Sequence, residues 1–438
     1  MGERVKQPGP LRVALSASIG NLLEWYDFFI YGTAAALVFN KLFFSGLSPA
    51  VGTVAAFATL AVGYVIRPLG AIIFGHIGDR YGRKKALYLT LGLMGLTTFG
   101  IGVLPTNAAI GESAAVGLVL CRAVQGLALG GEMGNAQTLT VEHAPANRRG
   151  FYGSFLHAGS FFGLVIGTTI FAILSLLPEE QFLSWGWRLP FLIGVLIAVV
   201  GLVLRRAVTE PEAHERLRQA GLVPKLPVVK VIRYHYKEVI VATVLSAGPN
   251  TIFYMVSVFA LSYGTTEYHV SRTMMLTLVT ISVALLAATI PCWGALSDRF
   301  GRSGLLIAGM LGMSAFIFAF FGLLSTGNSW LILLGAILVL GLGGAVVNGI
   351  APAFYCELFP SDVRSSAVSL GQQLAGAIGG FAPLVASAIV TRDPTGWGWI
   401  AGYCALLGVL GAIAVTFGRN HWDDVVIQES MSTEQEPV

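Results

Sequence analysis

The chain has 438 residues, of which 55% are hydrophobic and only 11% charged, with a formal net charge of +4. A soluble globular protein carries about 25% charged residues, so most of this surface faces something other than water, and the small positive balance gives no support to nucleic-acid binding. Long apolar runs recur from end to end without strand-period alternation, which points to a polytopic helical membrane protein in a lipid bilayer and excludes an outer-membrane barrel.

The first residues, Met1 to Arg12, are polar and basic, and the apolar run that follows is too long for a signal-peptide core, so no cleavable targeting segment is expected. Twelve spans are predicted, at 13–39, 50–74, 86–105, 112–140, 150–177, 187–206, 238–262, 270–294, 303–325, 329–355, 364–390 and 397–418. Each reaches the roughly 20 residues a helix needs to cross hydrocarbon. With the N-terminus inside, 21 of the 27 Lys and Arg fall in cytoplasmic segments. Only Lys41, Arg188, Arg272 and Arg392 fall outside, and Arg67 and Arg122 lie within spans. The positive-inside rule then puts both termini in the cytoplasm.

The longest polar connection divides the chain. The expected organisation is an N-terminal six-helix bundle over 1–206, a cytoplasmic linker over 207–237, a C-terminal six-helix bundle over 238–420 and a cytoplasmic tail over 421–438. Within the linker, Thr209-Glu210-Pro211-Glu212 reads as a capping box opening a short helix, with Gly221 as its stop. The tail after Trp422 is polar and acidic and is expected to be disordered. Cys121, Cys292, Cys356 and Cys404 lie in or beside apolar runs, none in a CxxC pair, and are read as packing residues without disulfide or metal role.

Two charged stretches interrupt the apolar pattern. Gly75-His76-Ile77-Gly78-Asp79-Arg80-Tyr81-Gly82-Arg83-Lys84-Lys85 follows span two, and Gly294-Ala295-Leu296-Ser297-Asp298-Arg299-Phe300-Gly301-Arg302 follows span eight. So many charges cannot sit in hydrocarbon, so both stretches belong at a membrane surface. Span four exits through Glu142 and Arg149, and span ten through Glu357 and Arg364, at nearly the same offset. Two independent correspondences indicate one architecture built twice, as in carriers made of repeated six-helix units.

These stretches resemble the signature of the major facilitator superfamily, G-x-x-x-D-R-x-G-R-[RK]-[RK]; the second copy departs from it where Ser303 and Gly304 replace the basic pair. Arg122-Ala123-Val124-Gln125-Gly126 is similar to that superfamily's R-x-x-x-G element. Five further segments resemble the metabolite:H⁺ symporter family: Gly20-Asn21-Leu22-Leu23-Glu24-Trp25-Tyr26-Asp27-Phe28-Phe29, Arg67-Pro68-Leu69-Gly70, Gly130-Gly131-Glu132, Glu142-His143-Ala144-Pro145 leading to Arg148-Arg149-Gly150, and Trp185-Gly186-Trp187-Arg188-Leu189-Pro190-Phe191. The resemblance implies an all-α 6+6 pseudo-symmetric fold of twelve transmembrane helices that moves a small metabolite by alternating access. Carboxylates, sugar-like acids and betaines are the substrates of that family. Span five lacks the Gly-Pro kink of the superfamily's drug/proton antiporters, which favours uptake by symport. A uniporter or exporter of a similar solute, or a membrane sensor that has lost transport, are the alternatives.

Ionisable side chains inside spans are costly and point to function. Glu24 and Asp27 are three apart on one face of span one. Burial and mutual repulsion favour their neutral forms, which suits the loading and release of a proton; a static pair with an arginine of span two or four is the competing reading. Arg67 and Arg122 are fixed cations whose forked guanidinium fits a carboxylate. Arg67 is read as a substrate contact. The resemblance implies that Arg122 couples to the proton step, the alternative being a partner for Glu24, Asp27 or Glu132. Glu132 is read equally as a second proton station or a gate residue. Tyr26, His157, Tyr254, Asn348 and Gln372 complete the substrate candidates, although a lone histidine is more often a hydrogen-bonded packing residue, while Asn250 and Gln373 are read as interhelical bonding. The surface charges Asp79, Arg80, Arg83, Glu142, Arg149, Asp298, Arg299, Arg302, Glu357 and Arg364 are read as a cytoplasmic gate. No Walker loop, HExxH or nucleophile–base constellation appears. The expected partners are therefore an anionic or zwitterionic small molecule and protons, with no cofactor, no metal and a monomer as the working unit.

Overall fold

The computed structural model describes residues 9–174, 176–206, 227–393 and 396–418. The predicted capping box at Thr209 with its stop at Gly221, and the acidic tail, lie outside the described residues. Long helices occupy every predicted span: α1 Pro10–Ala34, α2 Pro49–Tyr81, α3 Arg83–Val103, α4 Ser113–His143, α5 Arg149–Leu174 and α6 Leu189–Arg206. After a short helix at Pro227–Tyr234 come α7 Tyr236–Tyr254, α8 Arg272–Phe300, α9 Arg302–Leu324, α10 Ser329–Ala336, α11 Arg364–Arg392 and α12 Trp397–Thr416. Among the described residues there is no strand, and nine helices are long and apolar enough to cross a membrane.

Local chemistry sets the helix ends. Pro10 and Pro49 occupy the first helical turn, where a missing N–H costs nothing. Ser271 caps α8 by accepting from the Met274 N–H, and Asn328 caps α10 by accepting from Trp330 and Leu331. Gly82 and Gly301 sit at φ of 112° and 85°, a conformation open mainly to glycine, and turn the chain between α2 and α3 and between α8 and α9. The charged stretches are therefore helix ends with a one-residue corner. α2 and α8 run on to Tyr81 and Phe300, beyond the predicted ends at 74 and 294, because their charges are matched by partners described below.

Three helices change pitch. α1 passes into a π-helical segment at Ala35–Phe39, α7 continues through one at Met255–Phe259 into Ala260–Thr266, and α10 continues through Ile337–Gly344 into Ala345–Glu357. Such segments recur at functional sites, and the hydropathy pattern does not reveal them.

Within the first six helices α2 packs on α4 and α1 on α5; within the last six α7 packs on α11 and α9 on α12. Across the chain's midpoint, α5 meets α8 and α10, and α11 meets α2 and α4. The α2–α4 crossing depends on glycine: a Cβ on Gly126 or Gly130 would collide with the backbone carbonyls of Gly63 or Arg67. This close approach brings the two in-span arginines onto neighbouring helices.

Candidate functional site

A cavity opens where the two sets of helices meet. It is lined by Glu24 and Trp25 of α1, Arg67 of α2, His157 and Phe161 of α5, Phe253 and Tyr254 of α7, Asn348 and Tyr355 of α10, and Gln372 and Gln373 of α11. Six of the predicted site residues thus share one space. The Arg67 guanidinium stands 3.8 Å from the Glu24 carboxylate, longer than a good hydrogen bond, and lies over the Tyr64 ring at 4.6 Å. Arg67 Nε, Glu24 Oε2 and Gln372 Oε1 are buried with no protein hydrogen-bond partner. Tyr64 and Tyr254 join their hydroxyls at 3.1 Å, linking α2 to α7. Gln372 donates to Gln137 at 3.0 Å, and Gln137 meets the His157 ring at 3.3 Å. Asn348 donates to Gly344 of its own helix. Trp25, Phe161 and Phe253 pack ring against ring at 5.3–5.6 Å and form the apolar wall.

Asp27 is not among the residues that line the cavity and is 1% exposed. It accepts from Thr98 at 2.7 Å, from Gln125 at 2.9 Å and from Arg122 at 3.3 Å. The Arg122 guanidinium also rests over the Tyr31 ring at 4.4 Å. Three residues along a helix leave side chains about 60° apart. That offset sends Glu24 to Arg67 and Asp27 to Arg122, so each acid has an arginine of its own. Glu132 is fully buried, takes a hydrogen bond from Thr90 of α3 and does not line the cavity.

Tyr26 corrects the sequence reading. Two positions after Glu24 it points to the opposite face of α1, where it is buried in the apolar core and donates to the Pro190 carbonyl at 2.6 Å. Asn250 and Gln373, read as interhelical bonding, also line the cavity, and Gln373 does reach the Gly130 carbonyl of α4 at 3.5 Å. The sequence reading passed over Trp25, Tyr64, Gln125, Gln137 and the aromatic wall. Tyr64 and Gln125 each stand three residues from an in-span arginine, a spacing that could have marked them.

A second cluster joins the ends of α2 and α8 to the starts of α11 and α5. Asp79 at the end of α2 accepts from the Ser365 and Ser366 N–H groups that open α11, at 3.1 and 2.8 Å. Asp298 at the end of α8 accepts from the Gly150 and Phe151 N–H groups that open α5, at 2.8 and 2.9 Å. Each aspartate of one bundle sits on a helix N-terminus of the other, where orphan donors and the helix dipole favour an anion. Glu142 pairs with Arg83 at 3.1 Å and with Arg364 at 2.7 Å, while Glu357 pairs with Arg302 at 2.8 Å. Arg149 lies in the field of Glu357. Arg83 also reaches the Ser361 carbonyl. Arg80 and Arg299 are exposed, Arg80 over the Tyr81 ring. One residue beyond each aspartate is a rotation of about 100°, which turns them out of the seam.

A family model described as "Sugar (and other) transporter" matches residues 13–213, and one described as "Major Facilitator Superfamily" matches residues 239–426. The shikimate transporter of Escherichia coli strain K12 is 38% identical over 396 residues, which cover 90% of each chain. The chain belongs to the major facilitator superfamily. Another relative in it, the proline/betaine transporter of Salmonella typhimurium strain LT2, is 36% identical over 394 residues, 87% of this chain and 78% of that one. Among solved structures, the proton:xylose symporter XylE bound to 6-bromo-6-deoxy-D-glucose superposes with a TM-score of 0.76 at 17% identity, covering 92% of this chain and 94% of that one. The chain is therefore a multi-pass membrane carrier of the superfamily's all-helical fold, a secondary transporter and not an enzyme.

Proposed function

We propose that the chain takes up a small organic acid together with a proton, across an inner membrane that it crosses twelve times with both termini in the cytoplasm. The observation that carries this reading is the Arg67–Glu24 pair on the cavity wall. Its 3.8 Å separation and the open Nε and Oε2 atoms leave a fixed cation ready to exchange its weak carboxylate partner for the carboxylate of a solute. A bidentate contact of that kind is shorter and stronger. His157, Tyr254, Asn348 and Gln372 supply hydrogen bonds for the rest of the solute. The proton is held at Asp27, buried against Arg122, with Glu132 and Glu24 as further acidic sites nearby. The two bundles, 1–206 and 238–420, then rock about the cavity while the cytoplasmic seam forms and breaks. The aspartates on opposing helix N-termini hold the cytoplasmic side shut, so the structure is read as the state open to or sealed from the outside. The aromatic wall beside Glu24 also fits the cation of a zwitterion, which keeps betaines in the substrate screen.

The test uses purified protein, as a monomer, in proteoliposomes with an imposed inward proton gradient and labelled organic acids and betaines. The expected result is accumulation above the external concentration that disappears when the gradient is collapsed. Accumulation that survives the collapse would sink the symport claim.

A further inference from the structure

Resting on the reading of Asp27 as the proton site, we infer that Gln125 is a positioning residue whose side-chain amide ties the protonation state of Asp27 to the grip on Arg122. Gln125 is 1% exposed and stands one turn beyond Arg122 on α4. Its amide is fully engaged. Oε1 accepts from Arg122 at 3.2 Å, and Nε2 donates to Asp27 at 2.9 Å and to the Thr98 hydroxyl at 3.1 Å. The orientation of the amide follows from the network, because the reverse would set its NH₂ against the guanidinium, donor to donor. Thr98 in turn donates to Asp27 at 2.7 Å. Every hydrogen bond in the cluster therefore runs toward Asp27: from Arg122 directly, from Arg122 through Gln125, and from Gln125 through Thr98.

This pattern is complete for an ionised Asp27, to which every donor in the cluster points. A protonated carboxyl carries an O–H donor that needs an acceptor, and each acceptor within the cluster already receives a hydrogen bond. Rotating the Gln125 amide by half a turn resolves the conflict. Oε1 then accepts from the carboxylic acid, and the same rotation turns the amide NH₂ toward Arg122, donor to donor, so the guanidinium is pushed off the amide that held it while Asp27 was ionised. Arg122 loses its amide acceptor together with the charge on Asp27, and keeps the Tyr31 ring at 4.4 Å and the Phe28 ring at 5.8 Å. One proton thereby changes two contacts of the arginine, which leucine or methionine at position 125 could not do. The other titratable groups acting on Asp27 or its cluster are Tyr64 and Arg67 from α2, Cys121 from α4, and Glu24, Tyr26 and Tyr31 from α1 itself. The hydrogen bonds to the Asp27 carboxylate come from Arg122, Gln125 and Thr98, so Gln125 and Thr98 are the neutral groups that set its geometry.

The test compares wild type, Gln125→Met and Thr98→Val in proteoliposomes, with two readouts. Counterflow at equal pH on both sides needs binding and rocking but no net proton release; gradient-driven accumulation needs both. Gln125→Met is expected to keep counterflow within about threefold of wild type, to lose accumulation at least tenfold, and to move the pH at which uptake falls off to the alkaline side. Thr98→Val, which removes one donor and leaves the Gln125–Arg122 bond, is expected to move that pH in the same direction by less while keeping accumulation. Gln125→Met with wild-type accumulation and pH profile would overturn the inference. So would parallel loss of counterflow and accumulation with an unmoved profile in Thr98→Val, since that marks a purely structural role. If wild type itself shows no gradient-driven accumulation, the symport reading fails first.

Discussion

Replacing Glu142 by Gln should open the cytoplasmic seam. In the structure its carboxylate holds Arg83 of the same bundle at 3.1 Å and Arg364 of the other at 2.7 Å, and the three side chains are 0–2% exposed. The Arg83 pair lies within one bundle and persists when the bundles part, so it cancels from the equilibrium. The Arg364 pair exists only in the closed seam. Removing one member of a buried pair costs about 3–5 kcal/mol. Arg364 keeps its bond to the Phe359 carbonyl at 3.0 Å, and an amide oxygen remains at position 142, so the lower end applies. At about 1.4 kcal/mol per decade, roughly 3 kcal/mol moves the closed-to-open ratio about a hundredfold toward the cytoplasm-open state. Spin labels at the exposed ends of α2 and α8, replacing Tyr81 and Phe300, would read this as a shift from a short to a long distance population. An unchanged distribution in a stably folded Glu142→Gln protein would refute the reasoning.

Arg67→Lys should raise the KM for an acidic solute by at least tenfold with counterflow still measurable, because a point-charge ammonium cannot make the forked contact; an unchanged KM would remove Arg67 from the substrate site. Gly130→Ala sets a Cβ against the Arg67 carbonyl and should destabilise by about 1–3 kcal/mol through overpacking, seen as a lower melting temperature in detergent. Tyr254→Phe breaks the Tyr64 contact and should change uptake by no more than about tenfold, the worth of one neutral hydrogen bond. In an exposed pair Lys41 lies 2.6 Å from Glu179 and holds its carboxyl below the usual range. Such a pair contributes only above the unfolded carboxylate pKa and is lost as the pH falls through the lowered one. Because both side chains are solvent-exposed, Lys41→Ala should leave the melting temperature where it was at pH 7 and at pH 3 alike.

The helices were legible because run length and charge exclusion are properties of consecutive residues. The one-residue corners at Gly82 and Gly301 were not read from the sequence, which took the charged stretches for loops, whereas α2 and α8 extend past the hydropathy boundary. Pairing was less legible. Spacing along one helix places Glu24 and Asp27 on neighbouring faces, but which arginine each meets is decided by how closely α2 and α4 approach, and that depends on glycines at both helices. Glu142 and Arg149 look like natural partners seven residues apart, whereas the closest contact of Glu142 is Arg364, 222 positions away. Tyr26 was misplaced because a motif lists residues without stating which way each one faces. The π-helical segments left no trace in composition, since an extra residue in a turn changes pitch and not hydropathy.

The sharing of Glu142 between two arginines bears on speed. A gate held by isolated charge pairs would expose two bare ions each time it opened, and its barrier would rise with the strength of its hold. Here the acids at the seam keep a companion when the bundles separate: Glu142 keeps Arg83, Glu357 keeps Arg302, and Asp298 keeps Arg302 at 3.1 Å. Opening replaces a shared contact with a private one and creates no isolated anion. On the proposed reading of these residues as a gate, they can make the closed state distinct and still release it, a balance between grip and turnover that a tighter, unshared pair would lose.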